Sequence, residues 1–158
     1  MSKLLNISLT RSTLDVAAAT AEVSCPDAGG IAVFLGTTRA ETASGVEPAA
    51  SASGGNELVA LNYAAYDEMA VAEMRKIAEE ACRRWPIQRL VLRHRLGLVK
   101  VGEASVLIAV SCPHRGEAFA ACEFVIDELK KTVPIWKKEV FREGERWQEK
   151  GPDSPEKK

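Results

Sequence analysis

Residues 88–112, QRLVLRHRLGLVKVGEASVLIAVSC, decide the fold. In the first part, QRLVLRHRLG, strand alternation puts Leu90, Leu92, His94 and Leu96 on one face and Arg89, Val91, Arg93 and Arg95 on the other. The second part, ASVLIAVSC (104–112), is nearly all apolar and predicts a central strand covered on both faces. The two strands follow one another with no helix between them. That order predicts an α+β fold with a mixed or largely antiparallel sheet, not a doubly wound one.

Outward from this stretch the pattern continues. Upstream, Met74, Ile77, Ala78, Ala81, Cys82 and Trp85 recur at helical spacing from Asp67 until Pro86 stops the helix. Downstream of Pro113 a second helix is predicted to about Lys131, with Ala118, Cys122, Val125, Ile126 and Leu129 as its apolar stripe. Near the N-terminus, KLLNISLT reads as a strand, and Ser12 or Thr13 is a candidate cap for a short helix through LDVAAATAEV. GGIAVFLGTTR is predicted to be a buried strand ending at Gly36–Arg39, and ELVALNYAAY another. Between them, residues 40–56 are small and polar without periodicity, which predicts a flexible loop. A last short strand is expected through Trp136–Phe141. Residues 1–150 form a single expected domain, and 151–158 (GPDSPEKK) an expected disordered tail.

With 158 residues, 46% apolar and 27% charged, the chain has an ordinary globular composition. It lacks an apolar run of the roughly 18–20 residues a membrane span requires, and its N-terminus lacks a secretory signal, so no membrane association and a cytoplasmic location are expected. The four cysteines stand singly, without a Cys-x-x-Cys pair, and with two histidines in the chain no metal site is expected.

The formal charge of −1 conceals a segregation. From Ala81 to Gly102 there is no acid, while Arg83, Arg84, Arg89, Arg93, Arg95 and Lys100 are present. A second basic cluster, Lys130, Lys131, Lys137 and Lys138, brackets a Val-Pro-Ile-Trp core. Local basic surface on a near-neutral protein points to a small anionic ligand or an acidic partner more than to nucleic acid, and no nucleic-acid motif accompanies it.

Three places carry candidate chemistry. At SCPHRGE (111–117) a strand gives way to a helix whose free N–H groups, with His114 and Arg115, suit an anion; a polar helix start facing water is the plainer alternative. Arg39 follows a strand end, where ligand groups often sit and where solvated arginines are also common. Lys130 falls in the last turn of a helix, where the dipole alone would favour a cation. Pro134 bends the chain so that Lys130 and Lys137 could face one pocket, and a desolvated lysine near another cation becomes a usable nucleophile or base. His94, on the apolar strand face, reads as a packed, hydrogen-bonded core histidine.

The ordered set FLGTTR, LNYAAYDEMAVAEMRKIAEEACRRWP, HRLGLVKVGEASVLIAV, SCPHRGEAFAACEFVIDELK, LKKTVPIWKKE and EGERW resembles the large, catalytic subunit of molybdopterin synthase over essentially residues 3–150. The resemblance implies an α/β-hammerhead-like domain with additional antiparallel strands. It implies a sulfurtransferase of molybdenum-cofactor biosynthesis that converts cyclic pyranopterin monophosphate (precursor Z) to the dithiolene molybdopterin. Sulfur would arrive as a thiocarboxylate on the C-terminal Gly-Gly of a small ubiquitin-like carrier subunit, so no further cofactor is implied. The implied assembly is a heterotetramer, a homodimer core of large subunits with a carrier at each outer end. By the same resemblance Lys130 and Lys137 are catalytic, and Arg39, His114 and Arg115 bind the pterin phosphate. Thr38 stands where the family usually has an apolar residue, and the 40–56 loop is long. A non-catalytic scaffold docking the carrier is the alternative; loss of Lys130 or Lys137 would mark it, and both are present.

Overall fold

The computed structural model describes residues 4–40, 57–142 and 144–147. The expected loop beyond residue 40 and the expected tail lie outside the described residues. In chain order the elements are β1 (Leu4–Thr10), α1 (Val16–Val23), β2 (Gly30–Thr37), β3 (Leu58–Ala65), α2 (Asp67–Arg84) and β4 (Arg89–Arg95). They continue with β5 (Gly97–Lys100), β6 (Ala104–Cys112), α3 (Arg115–Thr132), β7 (Ile135–Phe141) and β8 (Gly144–Trp147).

The strands form two sheets. The first runs β1-β4-β6-β2, parallel between β1 and β4 and antiparallel elsewhere. The second, β5-β3-β7-β8, is antiparallel throughout. This is the α+β class that the adjacent strands predict. β6 is buried from Ser105 to Cys112, as its unbroken apolar run requires. On one face lie α2 and α3, where Met74, Ile77, Leu90, Leu92, Ile108 and Val125 join the larger core. On the other lies α1, closing a smaller core of Leu14, Ala19, Val23, Val91, Leu107 and Ala109. Fully burying an aliphatic side chain of this size is worth about 1.5–3 kcal/mol, so the two clusters outweigh any single surface pair.

Three expectations are corrected. The cap of α1 is Asp15, whose carboxylate accepts the Ala18 N–H at 3.0 Å; Ser12 and Thr13 lie too far upstream. The stretch 88–97 does not continue as one strand. Gly97 adopts φ +83°, a left-handed conformation that turns the chain out of the first sheet and starts β5 in the second. Finally, β2 is not buried. It is an edge strand in the sheet order, and the short α1 covers mainly β4 and β6, leaving Ile31, Val33 and Leu35 38%, 41% and 38% exposed.

The arginine-rich strand has internal partners. Arg93 binds Glu22 at 2.6 Å, Arg95 lies 3.5 Å from Glu103, and Arg89 donates to the carbonyls of Glu22 and Ser24. These guanidiniums hold α1 and the β5–β6 turn against the sheet, an architectural use of charges that composition alone presents as open basic surface.

Candidate active site

α3 and β2 run side by side in the same direction. At their start a Cβ on Gly30 would meet the Arg115 Cα at 3.0 Å, and one on Gly29 would meet the Pro113 carbonyl at 2.1 Å, so the Gly-Gly pair is what allows β2 to pass the β6–α3 turn. Midway, the Cys122 thiol reaches the Phe34 backbone. At their far end Lys130 closes α3 and Arg39 follows β2, and both charges act on Lys137 at the start of β7. Arg39 and Lys130 are exposed, whereas Lys137 is half-buried. Burial pushes the Lys137 ammonium below the usual lysine range; Lys130 and Arg39 push the same way, with Glu139 pulling against them.

The proline-bent connection does what its sequence predicts. Val133 and Pro134 are buried, Trp136 packs edge-on against Tyr66 at 4.8 Å, and Lys137 and Glu139 point to the opposite face from Trp136. Glu139 is only 4% exposed. Its position on the Lys137 face follows from strand alternation, but its burial does not.

His114 and Arg115 are not part of this cluster within one chain. They sit exposed at the N-terminus of α3, fifteen residues and thus about 22 Å of helix from Lys130. The candidate residues therefore form two basic groups, Arg39–Lys130–Lys137 at one end of the molecule and His114–Arg115 at the other.

His94 is a core histidine, as expected, but not an isolated one. It is 4% exposed, its Nδ1 lies 2.8 Å from the Arg95 carbonyl, and its ring meets Tyr63 edge-on at 4.9 Å. A carbonyl only accepts, so Nδ1 carries the proton and Nε2 is the acceptor. Burial, assisted by the Lys137 charge, lowers its pKa from 6.5 to about 4, with the Arg95 carbonyl opposing. Between those values the unfolded chain binds the extra proton, so this contribution to stability is complete above pH 6.5 and declines as pH falls towards about 4. Denaturant titrations should show a loss of about 2 kcal/mol between pH 7 and pH 5, and His94→Gln should flatten that dependence.

The structure thus gives an α+β domain in which a half-buried lysine stands beside two further cations where a helix end and a strand end meet. Among the described residues no group of three or more His, Cys, Asp or Glu could hold a metal, and no helix is long and apolar enough to cross a membrane. Comparison with known proteins gives the class a family. The model of the MoaE protein family matches residues 9–132. The molybdopterin synthase catalytic subunit of Pyrococcus abyssi is 46% identical over 129 residues, 82% of this chain and 80% of the relative. The human protein of the same name is 40% identical over 141 residues, 89% and 69% of the two chains. Among solved structures, molybdopterin synthase from Staphylococcus aureus superposes with a TM-score of 0.77 at 30% identity, covering 90% of this chain and 96% of that one. A Helicobacter pylori complex of subunits 1 and 2 of molybdopterin-converting factor shares the fold, with a TM-score of 0.70 at 22% identity. The chain belongs to the MoaE family, and its function is sulfur transfer in molybdenum-cofactor biosynthesis.

Proposed function

We propose that the chain is the catalytic partner in a cytoplasmic synthase that converts cyclic pyranopterin monophosphate to molybdopterin, taking one sulfur from each of two small, Gly-Gly-tailed carriers that arrive as thiocarboxylates. The observation that carries this reading is the half-buried Lys137 beside Lys130 and Arg39. The carrier tail and the pterin phosphate are both anionic, and a cluster of cations both attracts them and stabilises negative charge that builds on oxygen during acyl and sulfur transfer. Arg39, His114 and Arg115 take the phosphate in charge-assisted hydrogen bonds; Lys130 and Lys137 take the thiocarboxylate end. The carrier supplies the sulfur, so no resident cofactor enters.

The 22 Å between the two basic groups is bridged by a second copy of the chain. Ile31, Val33 and Leu35 form an exposed apolar stripe between the groups, on an edge strand. A two-fold axis through Val33, perpendicular to β2, pairs these stripes in opposite directions. The Gly30 end of one copy, with its Arg115, then meets the Arg39 end of the other. Two complete sites result, and the carriers occupy the outer ends of a heterotetramer.

The test uses the purified chain, precursor Z and a thiocarboxylated carrier, with the pterin product oxidised to its fluorescent derivative. Product that depends on both the chain and the thiocarboxylate is expected. Carrier binding without product would move the chain to a docking scaffold.

A further inference from the structure

Lys137 has neighbours that its own sequence motif does not contain. Across the second sheet, Gly97, Tyr63 and Lys137 occupy one row, from β5 through β3 to β7. Directly opposed residues on one face have Cβ atoms about 4.5–5.5 Å apart, so the Tyr63 ring and the Lys137 stem stand side by side. On its other flank in the row Tyr63 meets a glycine, with no side chain. Its ring is met edge-on by His94 from β4, in the other sheet, at 4.9 Å, and the Ser105 hydroxyl at the start of β6 is the polar partner of the phenol. Ser105 in turn donates to the Gly36 carbonyl at 3.4 Å. The tyrosine is thus held from two strands of the first sheet, β4 and β6, while it borders a residue of the second.

We propose that Tyr63 and His94 are positioning residues for the Lys137 amine: the two rings, packed edge to face, form a wall that fixes where it stands and keeps water from one side of it. This rests on the catalytic use of Lys137 proposed above. A lysine stem has four rotatable bonds, and nothing in the Val-Pro-Ile-Trp segment restrains its far end. The wall supplies that restraint, because the Tyr63–His94 contact ties the two sheets together at the one point where the amine must be placed. A neutral imidazole is required here: a protonated His94 would add a fourth cation to Lys130, Arg39 and Lys137 in the same space. The charged and titratable groups bearing on the amine are Lys130 from α3, Arg39 after β2, Glu139 on β7 itself, and His94 from β4, with the Tyr63 phenol alongside.

Competitive acetylation of the full chain by acetic anhydride across a pH series, read by mass spectrometry of the Lys137 peptide, measures this amine without substrate or carrier. In the unmodified protein Lys137 should label with a midpoint below that of the exposed lysines. Tyr63→Leu should raise that midpoint by about one pH unit and lower kcat about ten- to a hundredfold, with the carrier KM little changed. Tyr63→Phe, which keeps the ring, should preserve both, and His94→Gln should move the midpoint in the same direction as Tyr63→Leu. An unchanged Lys137 midpoint in folded Tyr63→Leu and His94→Gln proteins would overturn the proposal. So would a Tyr63→Phe protein as impaired as Tyr63→Leu, since the hydroxyl and not the ring would then be responsible. If Tyr63→Leu does not fold, His94→Gln decides alone. Shifted labelling in a chain that makes no pterin product would sink the catalytic reading while leaving the positioning of Lys137 intact.

Discussion

Lys137→Ala is expected to lower kcat by about a hundred- to a thousandfold, the loss that follows removal of one preorganised charge from a site where negative charge develops. The half-buried amine is the reason for so large an effect. Its surroundings are already organised around a cation, and water cannot enter the vacated space and stabilise an oxyanion as well. The strand itself should tolerate the change, because β7 keeps its full backbone pairing with β3. Thermal melts of the variant should therefore lie near those of the parent. Lys137→Arg is not expected to rescue turnover: a guanidinium is planar, larger and permanently charged, and cannot act as a proton donor near neutral pH. The kinetic split assigns the role. A fall in kcat and kcat/KM together places Lys137 on the transition state, whereas a raised KM at unchanged kcat would confine it to holding the carrier tail. Full turnover by a folded Lys137→Ala protein would remove it from the chemistry.

Much of this site is legible in the sequence because its determinants are local. The end of α3, the proline bend and the alternation on β7 together aim Lys137 away from Trp136, and each is a matter of a few neighbouring residues. His94 can likewise be placed in the core from its strand face alone. What cannot be read is anything set by pairing between distant segments. Tyr63 and Lys137 are neighbours only because β3 pairs with β7 in a particular register, which no local pattern encodes. The same holds for β5, where Gly97 diverts to the second sheet a segment whose residues look like a continuation of β4. Hydrophobicity misleads at β2 for a different reason. Ile31, Val33 and Leu35 have the composition of a core strand, yet they lie exposed on an edge strand, and composition alone does not distinguish an edge from a centre. The separation of His114 and Arg115 from Lys130 is, by contrast, simple arithmetic on an 18-residue helix. A resemblance that names site residues as a set conceals it.

That separation makes the second large effect a restoration. A Lys137→Ala chain and a chain carrying both His114→Ala and Arg115→Ala should each be nearly inactive as a homodimer when substrate is below KM, the first lacking its amine and the second its phosphate grip. Co-expressed under two different tags and purified as the mixed dimer, they are expected to recover about half the wild-type activity per dimer, because two-fold symmetry leaves one site wholly intact and puts every defect in the other. The gain from near zero to about half is far outside what averaging two weak parents can give. If all five residues instead served one chain, each site of the mixed dimer would carry a defect and activity would stay at the parental level. A charge introduced into the apolar stripe, Val33→Glu, offers an independent check. It should convert the dimer to monomer in sedimentation and abolish turnover, although Val33 is on the opposite face of β2 from the α3 packing and six residues, about 20 Å of extended chain, from Arg39. A catalytically competent monomer would exclude the shared site outright.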